Sequence, residues 1–421
     1  MELNTIERGM AAGDAGEAAA MAMRIVAEAG RIMGAERLIP IASAHIDGCL
    51  YHGDSGVEFA ERLVALGGRV AVPASLNVGA LDLLHPEIVH AGGHETAMAR
   101  RQMDAYIRLR CLPSWTCAPY QAGHRPSLGE HVAWGESNAV AFANSVLGAR
   151  TERYGDFLDI CAALTGKAPE TGLHLDKNRQ ARIVVKTGAL SARLKDTDAF
   201  YPVLGAWLGA KVGGAVAVID GLPPEISEDR LKALGAAAAS SGAVGLFHIA
   251  GVTPEAPTCE AALGGEPPER SIALTPSMIR AARDQLSTIA ADRIDAVALG
   301  SPHFSLTEYA ALEELARGKL FAVPFYVCTG RGVVEEMERS GRLAQLTETG
   351  IQIVADTCVV VAPILPDRKK GAAPGVLMTN SGKFAHYTPA NTGYEVVYGS
   401  LEDCVASAET GRVVRDEGVW R

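Results

Sequence analysis

Short apolar runs alternate with amphipathic segments along the second half of the chain. The runs that predict strands are AVAVID, AVGLFHIAG, DAVALGS, FAVPFYVCTG and IQIVADTCVVVAP. The segments that predict helices are SEDRLKALGAAAASSG, SMIRAARDQLSTIA, SLTEYAALEELARG and VVEEMERSGRLAQLTETG. Ser227 is predicted to cap the first of these helices, and Gly242 to follow its end. Continuous apolar strands that alternate with helices are typical of parallel sheets covered on both faces, so the pattern predicts an α/β fold.

The first half repeats this pattern more loosely. A helix near 14–33 precedes the predicted strand RLIPIASAHI, and a helix at 55–67 precedes the predicted strand RVAVPASLN. We therefore predict a first α/β region with N-terminal helices at residues 1–145 and further α/β structure at residues 215–421. Residues 146–214, whose elements are hard to delimit, are predicted to connect the two.

Composition narrows the class of protein. A chain of 421 residues is too long for one ordinary core, and two or three domains are expected. The net charge of −10, with acidic and basic residues interspersed, argues against nucleic acid or an anionic membrane as a partner. The sequence has neither an uncharged apolar run of membrane-spanning length nor a signal-peptide layout at its acidic N-terminus. We therefore expect a cytoplasmic protein whose eight cysteines are thiols rather than disulfides.

Two common nucleotide-binding patterns and one nucleophile motif are not supported. No strand is followed by GxGxxG, and NSGK at 380–383 lacks the glycine spacing of a P-loop. GDSG at 53–56 opens a helical pattern, which makes a nucleophilic serine there unexpected.

Polar side chains follow six of the predicted strands. In parallel α/β sheets, ligands bind beyond the carboxyl ends of the strands, so these residues predict a site in a shared cleft. They are Ser43, His45, Asp47, Ser75, Asn77, His248, Ser301, His303, Cys328, Thr329, Arg331, Asp356, Thr357 and Cys358.

Three cysteines lie at turns or strand ends beside small or hydroxylated residues. Cys117, Cys328 and Cys358 are therefore candidate thiolate ligands of an iron–sulfur cluster or zinc. No C-x-x-C pair occurs, and spacing alone leaves open whether these three bind metal or are structural thiols. The remaining cysteines are interpreted as inert.

Several long motifs, in one order from about residue 5 to about residue 400, resemble the aconitase X family, a branch of the aconitase superfamily. They are RLIPIASAHIDG, GDSGVEF, TCAPY, GEHVAWGESNAVAFANSVLGAR, EDRLKALGAAAASSGAVGLFHIAGVTPEA, PHFS, DTCVVVAPI and TNSGKFAHY. The resemblance implies an iron–sulfur dehydratase built from several parallel-sheet α/β/α units around a central cleft, with a small swivelling domain. It also implies Cys117, Cys328 and Cys358 as the cluster ligands.

Members of this family dehydrate either cis-3-hydroxy-L-proline or mevalonate 5-phosphate. The resemblance implies the hydroxyproline branch, because His45 and Ser301 stand where the phosphomevalonate branch has glutamine and cysteine. Serine at 301, together with Cys328, also implies a [2Fe–2S] cluster. Arg125, Arg150 and Arg331 could form a phosphate pocket, so phosphomevalonate dehydration stays an alternative. A non-catalytic iron–sulfur protein is the alternative of another class.

Dehydration requires a base that takes the α-proton and a group that assists departure of the hydroxyl, and these motifs contain candidates for such roles. Candidates for proton transfer are His45, Lys383 and His386, although Lys383 could only bind the substrate carboxylate and His386 could only orient a ligand. The candidates for substrate binding are Ser43, Asn77, Glu130, Asn138, Ser301 and His303.

The resemblance also implies a partner. No additional segment of roughly the size of a small domain is present for the swivelling domain. We therefore expect a separate small subunit, a heterodimer, and a role in hydroxyproline metabolism.

Overall fold

The computed structural model describes residues 1–366 and 373–420. The chain forms two compact units. The first contains Met1–Leu81 and Ala91–Gln180, and the second contains Asp82–His90 and Ala181–Arg421. Among the described residues, no helix is long and apolar enough to cross a membrane.

The first unit contains a three-stranded parallel sheet in the order β3-β2-β4 and a separate antiparallel pair, β1 with β5. Its strands are β1 (Leu38–Pro40), β2 (Ala44–Ile46), β3 (Ala74–Leu76), β4 (Ala133–Trp134) and β5 (Lys167–Pro169). Its helices are α1 (Thr5–Ala12), α2 (Glu17–Ile32), α3 (Asp54–Ala65), α4 (Gly93–Arg108), α5 (Ser137–Phe142) and α6 (Leu158–Thr165).

The first-half pattern is confirmed for its helices and corrected for one strand. Helices α2 and α3 occupy the segments predicted at 14–33 and 55–67. The predicted strand RLIPIASAHI is two strands, β1 and β2, in different sheets. Pro40 ends β1, and because proline has no backbone N–H it cannot continue donating to a ladder.

The second unit contains two parallel sheets, one of four strands in the order β8-β7-β6-β9 and one of five in the order β12-β11-β10-β13-β14. Its strands are β6 (Ile183–Lys186), β7 (Ala217–Asp220), β8 (Phe247–Ile249), β9 (Arg270–Ala273), β10 (Ala296–Phe304), β11 (Phe325–Thr329), β12 (Ile351–Ala355), β13 (Val376–Thr379) and β14 (Glu395–Tyr398). Its helices are α7 (Ala192–Lys195), α8 (Phe200–Val212), α9 (Glu228–Ser241), α10 (Cys259–Ala262), α11 (Pro276–Gln285), α12 (Leu306–Ala316), α13 (Arg331–Arg339), α14 (Arg342–Thr347), α15 (Gly382–Thr392) and α16 (Leu401–Thr410).

The α/β fold class is confirmed, and each predicted strand and helix of the second half contains a strand or helix, although the strand in IQIVADTCVVVAP ends at Ala355. The Ser227 side chain caps α9 by accepting a hydrogen bond from the Arg230 N–H, and Gly242 follows the helix end. The helix predicted from VVEEMERSGRLAQLTETG is divided into α13 and α14, because Gly341 between them has a left-handed φ of 72°.

Alternate residues of the five-stranded sheet face two buried clusters. Val297, Leu299, Phe325 and Val327 contribute to one cluster. The opposite cluster contains residues of β10, β11 and β12 together with the segment after β12: Ala296, Ala298, Tyr326, Cys328, Val354, Cys358, Val359 and Val360. The two-residue period of the strand therefore places Cys328 in the same cluster as Cys358.

Helices α8 and α9 pack backbone against backbone through glycine. A Cβ atom at Gly205 would lie 2.2 Å from the carbonyl oxygen of Leu234. A Cβ atom at Gly209 would lie 2.5 Å from the carbonyl oxygen of Ala238. Both distances are below van der Waals contact, so the helix pair depends on these two positions having no side chain.

This contact predicts the effect of alanine at position 205. Gly205→Ala would raise helix propensity by roughly 1 kcal/mol in an open helix, but here the methyl group must force α8 and α9 apart, at a cost of about 1–3 kcal/mol or more. We expect a lower midpoint of thermal unfolding. Gly214→Ala is the control, because its Cβ would meet only the Ala243 Cβ, at 3.8 Å. Equal midpoints for the two variants would contradict the close packing of this helix pair.

Candidate active site

Buried polar groups lie at the three-stranded sheet of the first unit. His45 on β2 and Ser75 on β3 are register partners, and the His45 Nδ1 lies 2.8 Å from the Ser75 Oγ. Both residues are buried, at 0% and 1% exposure. Parallel pairing of neighbouring strands therefore accounts for this contact.

The hydrogen bonds continue beyond this pair. The Ser75 Oγ lies 2.6 Å from the His124 Nδ1, and the His124 Nε2 lies 2.8 Å from the Ser43 Oγ. We call Ser43, His124, Ser75 and His45 the serine–histidine chain. Burial lowers the pKa of His45 to about 3 and that of His124 to about 4, so both rings are neutral at pH 7.

Two carboxyl groups beside this chain share one amide. The Asn77 Nδ2 donates hydrogen bonds to an oxygen of Asp47 and, at 2.8 Å, to the Glu136 Oε2. Burial, and next the nearby charge of Glu136, raise the pKa of Asp47 well above its usual value. Asn77 is thus a predicted site residue that the structure places between two carboxyl groups.

The other predicted residues of the first unit lie around these groups. The Asn138 Nδ2 donates to the carbonyl oxygen of Cys117 at 2.7 Å, which ties the Cys117 loop to α5. Cys117 is buried, at 5% exposure. Glu130 accepts a hydrogen bond from the Ser127 N–H in a turn, and its charge acts on His124 by opposing the pKa depression that burial causes.

Sequence reasoning assigned no catalytic or binding role to three of the residues that the structure brings together here. Asp47 was noted only as a polar residue after a predicted strand, and Glu136 is the N-cap of α5. His124 follows no strand, and the only signal for it is its place in residues 114–150, a stretch that contains several histidine, glutamate and asparagine residues. Its contacts depend on the path of a loop, which periodicity does not describe.

In the second unit, Cys328 and Cys358 lie in one buried cluster at neighbouring parallel strands. Cys328 is the fourth residue of β11, and Cys358 lies three residues after the end of β12. Their exposures are 0% and 7%. Buried thiols of this kind match the soft-donor chemistry of an iron–sulfur cluster. Within the described ranges no group of three or more His, Cys, Asp or Glu side chains is arranged to hold a metal ion, and Cys117 belongs to the other unit.

The turn that carries Cys358 is fixed from two sides. Asp356 has a left-handed φ of 61°, and Arg331 binds its carboxylate in a bidentate ion pair with distances of 2.9 and 2.6 Å. On the other side, the Asp82 Oδ2 accepts a hydrogen bond from the Ala355 N–H at 2.7 Å. The His303 ring also contacts the carbonyl oxygen of Thr357, at 3.2 Å. The position of the Cys358 thiol is thereby well defined.

Ser301 lies where β10 is irregular. Gly300 has a φ of 91°, and a Cβ atom there would lie 2.0 Å from the carbonyl oxygen of Cys328, so only glycine fits. Ser301 lines a cavity of about 570 Å³ together with Asn380 and Ser381. The Ser381 hydroxyl donates to the carbonyl oxygen of Ser301, which connects β10 to the start of α15.

Helix α15 carries the last two predicted site residues. Ser381 caps it by accepting a hydrogen bond from the Phe384 N–H at 3.0 Å. Lys383, in the first turn, is buried, whereas His386 is exposed. His248 lies on β8 in the four-stranded sheet, so the six polar strand ends belong to three different sheets.

Comparison with known families gives three consecutive matches. The models described as aconitase X first, second and third domain match residues 1–177, 181–284 and 294–410.

Named relatives fall into two groups of dehydratases. The chain is 44% identical over 427 residues to a cis-3-hydroxy-L-proline dehydratase of Pseudomonas aeruginosa, covering 99% of this chain and 72% of that protein. It is 38% identical to the enzyme of that name from Hypocrea jecorina, covering 98% and 69%. It is 36% identical to the phosphomevalonate dehydratase large subunit of Methanosarcina mazei, covering 98% of both chains.

The fold has a solved counterpart. The crystal structure of Thermococcus kodakaraensis aconitase X in its holo-form matches with a TM-score of 0.86 and 34% identity, covering 97% of this chain and all of that one. The resemblance read from the sequence motifs is confirmed: the chain belongs to the aconitase X family.

Proposed function

We propose that this protein is the large, catalytic subunit of an iron–sulfur hydro-lyase that removes water from cis-3-hydroxy-L-proline. The product is an enamine that tautomerises to Δ1-pyrroline-2-carboxylate. The observation that carries the proposal is the 44% identity, over 99% of the chain, to an enzyme named for this reaction.

The contacts of the arginines that could form a phosphate pocket favour hydroxyproline over mevalonate 5-phosphate as the substrate. Arg331 is held by the Asp356 carboxylate, and Arg150 pairs with Asp176 and donates to the carbonyl oxygen of His174. A phosphate needs two or three uncommitted cations or a helix N-terminus. Two of the three candidate arginines are already committed to other groups of the chain. A hydroxyproline has no phosphate and does not require them.

The chemistry requires a proton acceptor at the α-carbon and help for a poor leaving group. An iron–sulfur cluster with an open iron position supplies a Lewis acid for the hydroxyl oxygen when it is bound. We assign its ligands to Cys117, Cys328 and Cys358 and its type to [2Fe–2S]. The three cysteines are buried in this chain. In this proposal, water is excluded from the reacting atoms only when the small subunit completes the pocket.

We assign proton transfer to His45. Its ring is neutral at pH 7, and its Nδ1 is occupied by Ser75, which leaves Nε2 to accept the α-proton. Lys383 is buried at the N-terminal turn of α15 and is suited to bind the substrate carboxylate. His386 is exposed, which suits contact with a partner domain better than proton transfer by this chain alone.

The polar residues complete the substrate pocket in this proposal. Their hydroxyl, amide, imidazole and carboxyl groups would orient the carboxylate, the ring nitrogen and the hydroxyl of the substrate. They are Asn77, Glu130, Asn138, Ser301 and His303, whereas the Ser43 hydroxyl is already bonded to His124.

The partner is a small swivelling-domain subunit, which makes the enzyme a heterodimer. The relative from Methanosarcina mazei is named a large subunit, and its chain aligns almost end to end with this one. The hydroxyproline dehydratase of Pseudomonas aeruginosa is longer than the aligned region, which covers 72% of it. We place the enzyme in the cytoplasm and in hydroxyproline metabolism. Among the described residues no two cysteines are joined by a disulfide, which suits a reducing compartment.

The first test compares substrates. The two subunits are co-expressed and purified without oxygen, and cis-3-hydroxy-L-proline and mevalonate 5-phosphate are assayed side by side. We expect turnover of the hydroxyproline only. Turnover of the phosphate ester would establish the alternative dehydratase. An intact cluster with no turnover of either compound would favour a non-catalytic iron–sulfur protein.

A second test concerns the partner. The isolated chain is expected to show negligible turnover, because an incomplete pocket leaves the reacting groups in contact with water. Adding the purified small subunit should restore activity. Full-rate dehydration by this chain alone, with no second polypeptide on a gel, would contradict the requirement for a partner.

A third test concerns the cluster ligands. Cys358→Ser replaces a soft thiolate with a hydroxyl that binds iron poorly. We expect loss of the visible cluster absorption and of dehydratase activity, with the far-UV circular dichroism unchanged. Cys161→Ser is the matched control, because Cys161 is also a buried thiol but lies on α6 in the first unit and is not a proposed ligand. Full iron content and turnover in Cys358→Ser would remove Cys358 from the ligand set.

A further inference from the structure

The Nε2 atom of His45 is the one unsatisfied end of the serine–histidine chain. The ring is fully buried, Ser75 occupies Nδ1, and within the described ranges no hydrogen-bond partner reaches Nε2. A buried polar atom without a partner lowers the stability of the folded state. Such a cost is tolerated where a substrate or solvent atom completes the bonding during function.

The other end of the serine–histidine chain, at Ser43, lies closer to the protein surface. Ser43 is 7% exposed, whereas His45 and Ser75 are 0% and 1% exposed. Three consecutive contacts of 2.8, 2.6 and 2.8 Å join the buried Nε2 to the Ser43 hydroxyl without a gap. All three distances are within ordinary hydrogen-bond range.

We propose that Ser75, His124 and Ser43 form a proton relay that carries the proton accepted at His45 Nε2 to solvent. The proposal rests on the assignment of proton transfer to His45. Neither Ser75 nor His124 touches the substrate in this proposal, and both act through His45.

The hydroxyl of Ser75 fixes the tautomers of the two rings. A serine hydroxyl has one hydrogen, so Ser75 donates to one Nδ1 and accepts from the other. If His45 Nε2 is a free base, the His45 proton is on Nδ1 and is donated to Ser75. Ser75 then donates to His124 Nδ1, and the His124 proton is on Nε2, where it is donated to Ser43. The two imidazoles must therefore hold opposite tautomers.

The proton transfer balances atom by atom. When His45 Nε2 accepts a proton, the proton on its Nδ1 passes to the Ser75 oxygen, and the Ser75 hydroxyl proton passes to His124 Nδ1. The proton on His124 Nε2 passes to the Ser43 oxygen, and the Ser43 hydroxyl proton passes to a water molecule. One proton enters and one leaves, and all four residues end neutral. The reverse sequence restores the starting tautomers when the Nε2 proton is given up.

The alternative is a hydrogen-bond chain that only supports the fold. The burial that lowers the pKa of both rings agrees with either role, because it disfavours a resting imidazolium. The roles differ in how they respond to variants that keep the hydrogen bonds and stop the proton. Glutamine at position 124 can still donate and accept hydrogen bonds, but it cannot pass a proton from one nitrogen to another.

The first measurement does not depend on turnover. Nitrogen-15 NMR of histidine-labelled protein reports which ring nitrogen carries the proton, with His124→Gln used for assignment. We expect His45 and His124 to be neutral at pH 7 and to hold opposite tautomers. Identical tautomers, or an imidazolium at either position, would overturn the relay whether or not the enzyme acts on hydroxyproline.

The second measurement uses the two-subunit enzyme. For Ser75→Ala and His124→Gln we expect kcat to fall by about 10- to 100-fold, within the range of general acid–base effects, with KM little changed and a larger solvent deuterium isotope effect. Ser75→Thr keeps the hydroxyl and should restore most of kcat. An unchanged isotope effect in both variants, or a wild-type kcat in His124→Gln, would overturn the relay.

A matched control comes from the neighbouring segment. The Ser114 Oγ accepts from the Leu76 N–H and donates to the Leu76 carbonyl, so Ser114→Ala removes hydrogen bonds to the same strand as Ser75 without touching the chain. We expect it to lower the unfolding midpoint and leave the isotope effect unchanged. If wild-type enzyme shows no turnover of hydroxyproline, the proposed function fails. The tautomers of His45 and His124 then still show whether the serine–histidine chain has the hydrogen-bond directions described above.

Discussion

Burial of polar groups at the carboxyl ends of β2, β3 and β4 is the constraint on which the first unit's site depends. A buried hydroxyl, amide or imidazole is costly unless most of its hydrogen-bonding capacity is met. Ser75 pairs with both His45 and His124, whereas the His45 ring is bonded at Nδ1 and the Asn77 amide at Nδ2. The polar groups therefore fix one another's positions, and a change at one of them alters the bonding of the next.

In the second unit, backbone geometry fixes the positions of the buried cysteines Cys328 and Cys358. The carbonyl oxygen of Cys328 approaches Gly300 so closely that no side chain fits there. One strand away, the Cys358 turn is held by the carboxylates of Asp82 and Asp356. The thiols are thus positioned by main-chain contacts, by the Asp82 hydrogen bond to the backbone and by the bidentate ion pair of Arg331 with Asp356. A ligand set for a metal cluster benefits from this rigidity, because the donor atoms are placed before the cluster binds.

Much of the fold was predictable from local pattern, and much of the site was not. The strand FAVPFYVCTG and the helix after Ser227 follow from an apolar run and a capping residue, both of which are local signals. The predicted site residues Ser43, His45 and Asn77 follow from their places after strands. His124 and Glu136 do not follow from such places, because a loop and a helix cap bring them to the site through space. The break between β1 and β2 was missed because apolar periodicity continues across Pro40, while the pairing partners change.

The strap formed by residues Asp82–His90 has a consequence for how the protein is assembled. It belongs to the second unit, where Asp82 binds the Ala355 N–H and the His90 N–H donates to the carbonyl oxygen of Pro363, yet it lies within the sequence of the first. On the ribosome, this strap emerges long before the strands that it will contact. The first unit must therefore fold while this nine-residue segment still has no partner. A fragment that starts at residue 181 would lack the Asp82 hydrogen bond that holds one side of the Cys358 turn. A fragment of residues 1–180 would contain all of the first unit together with the strap, whereas a fragment that starts at residue 181 would not contain all of the second.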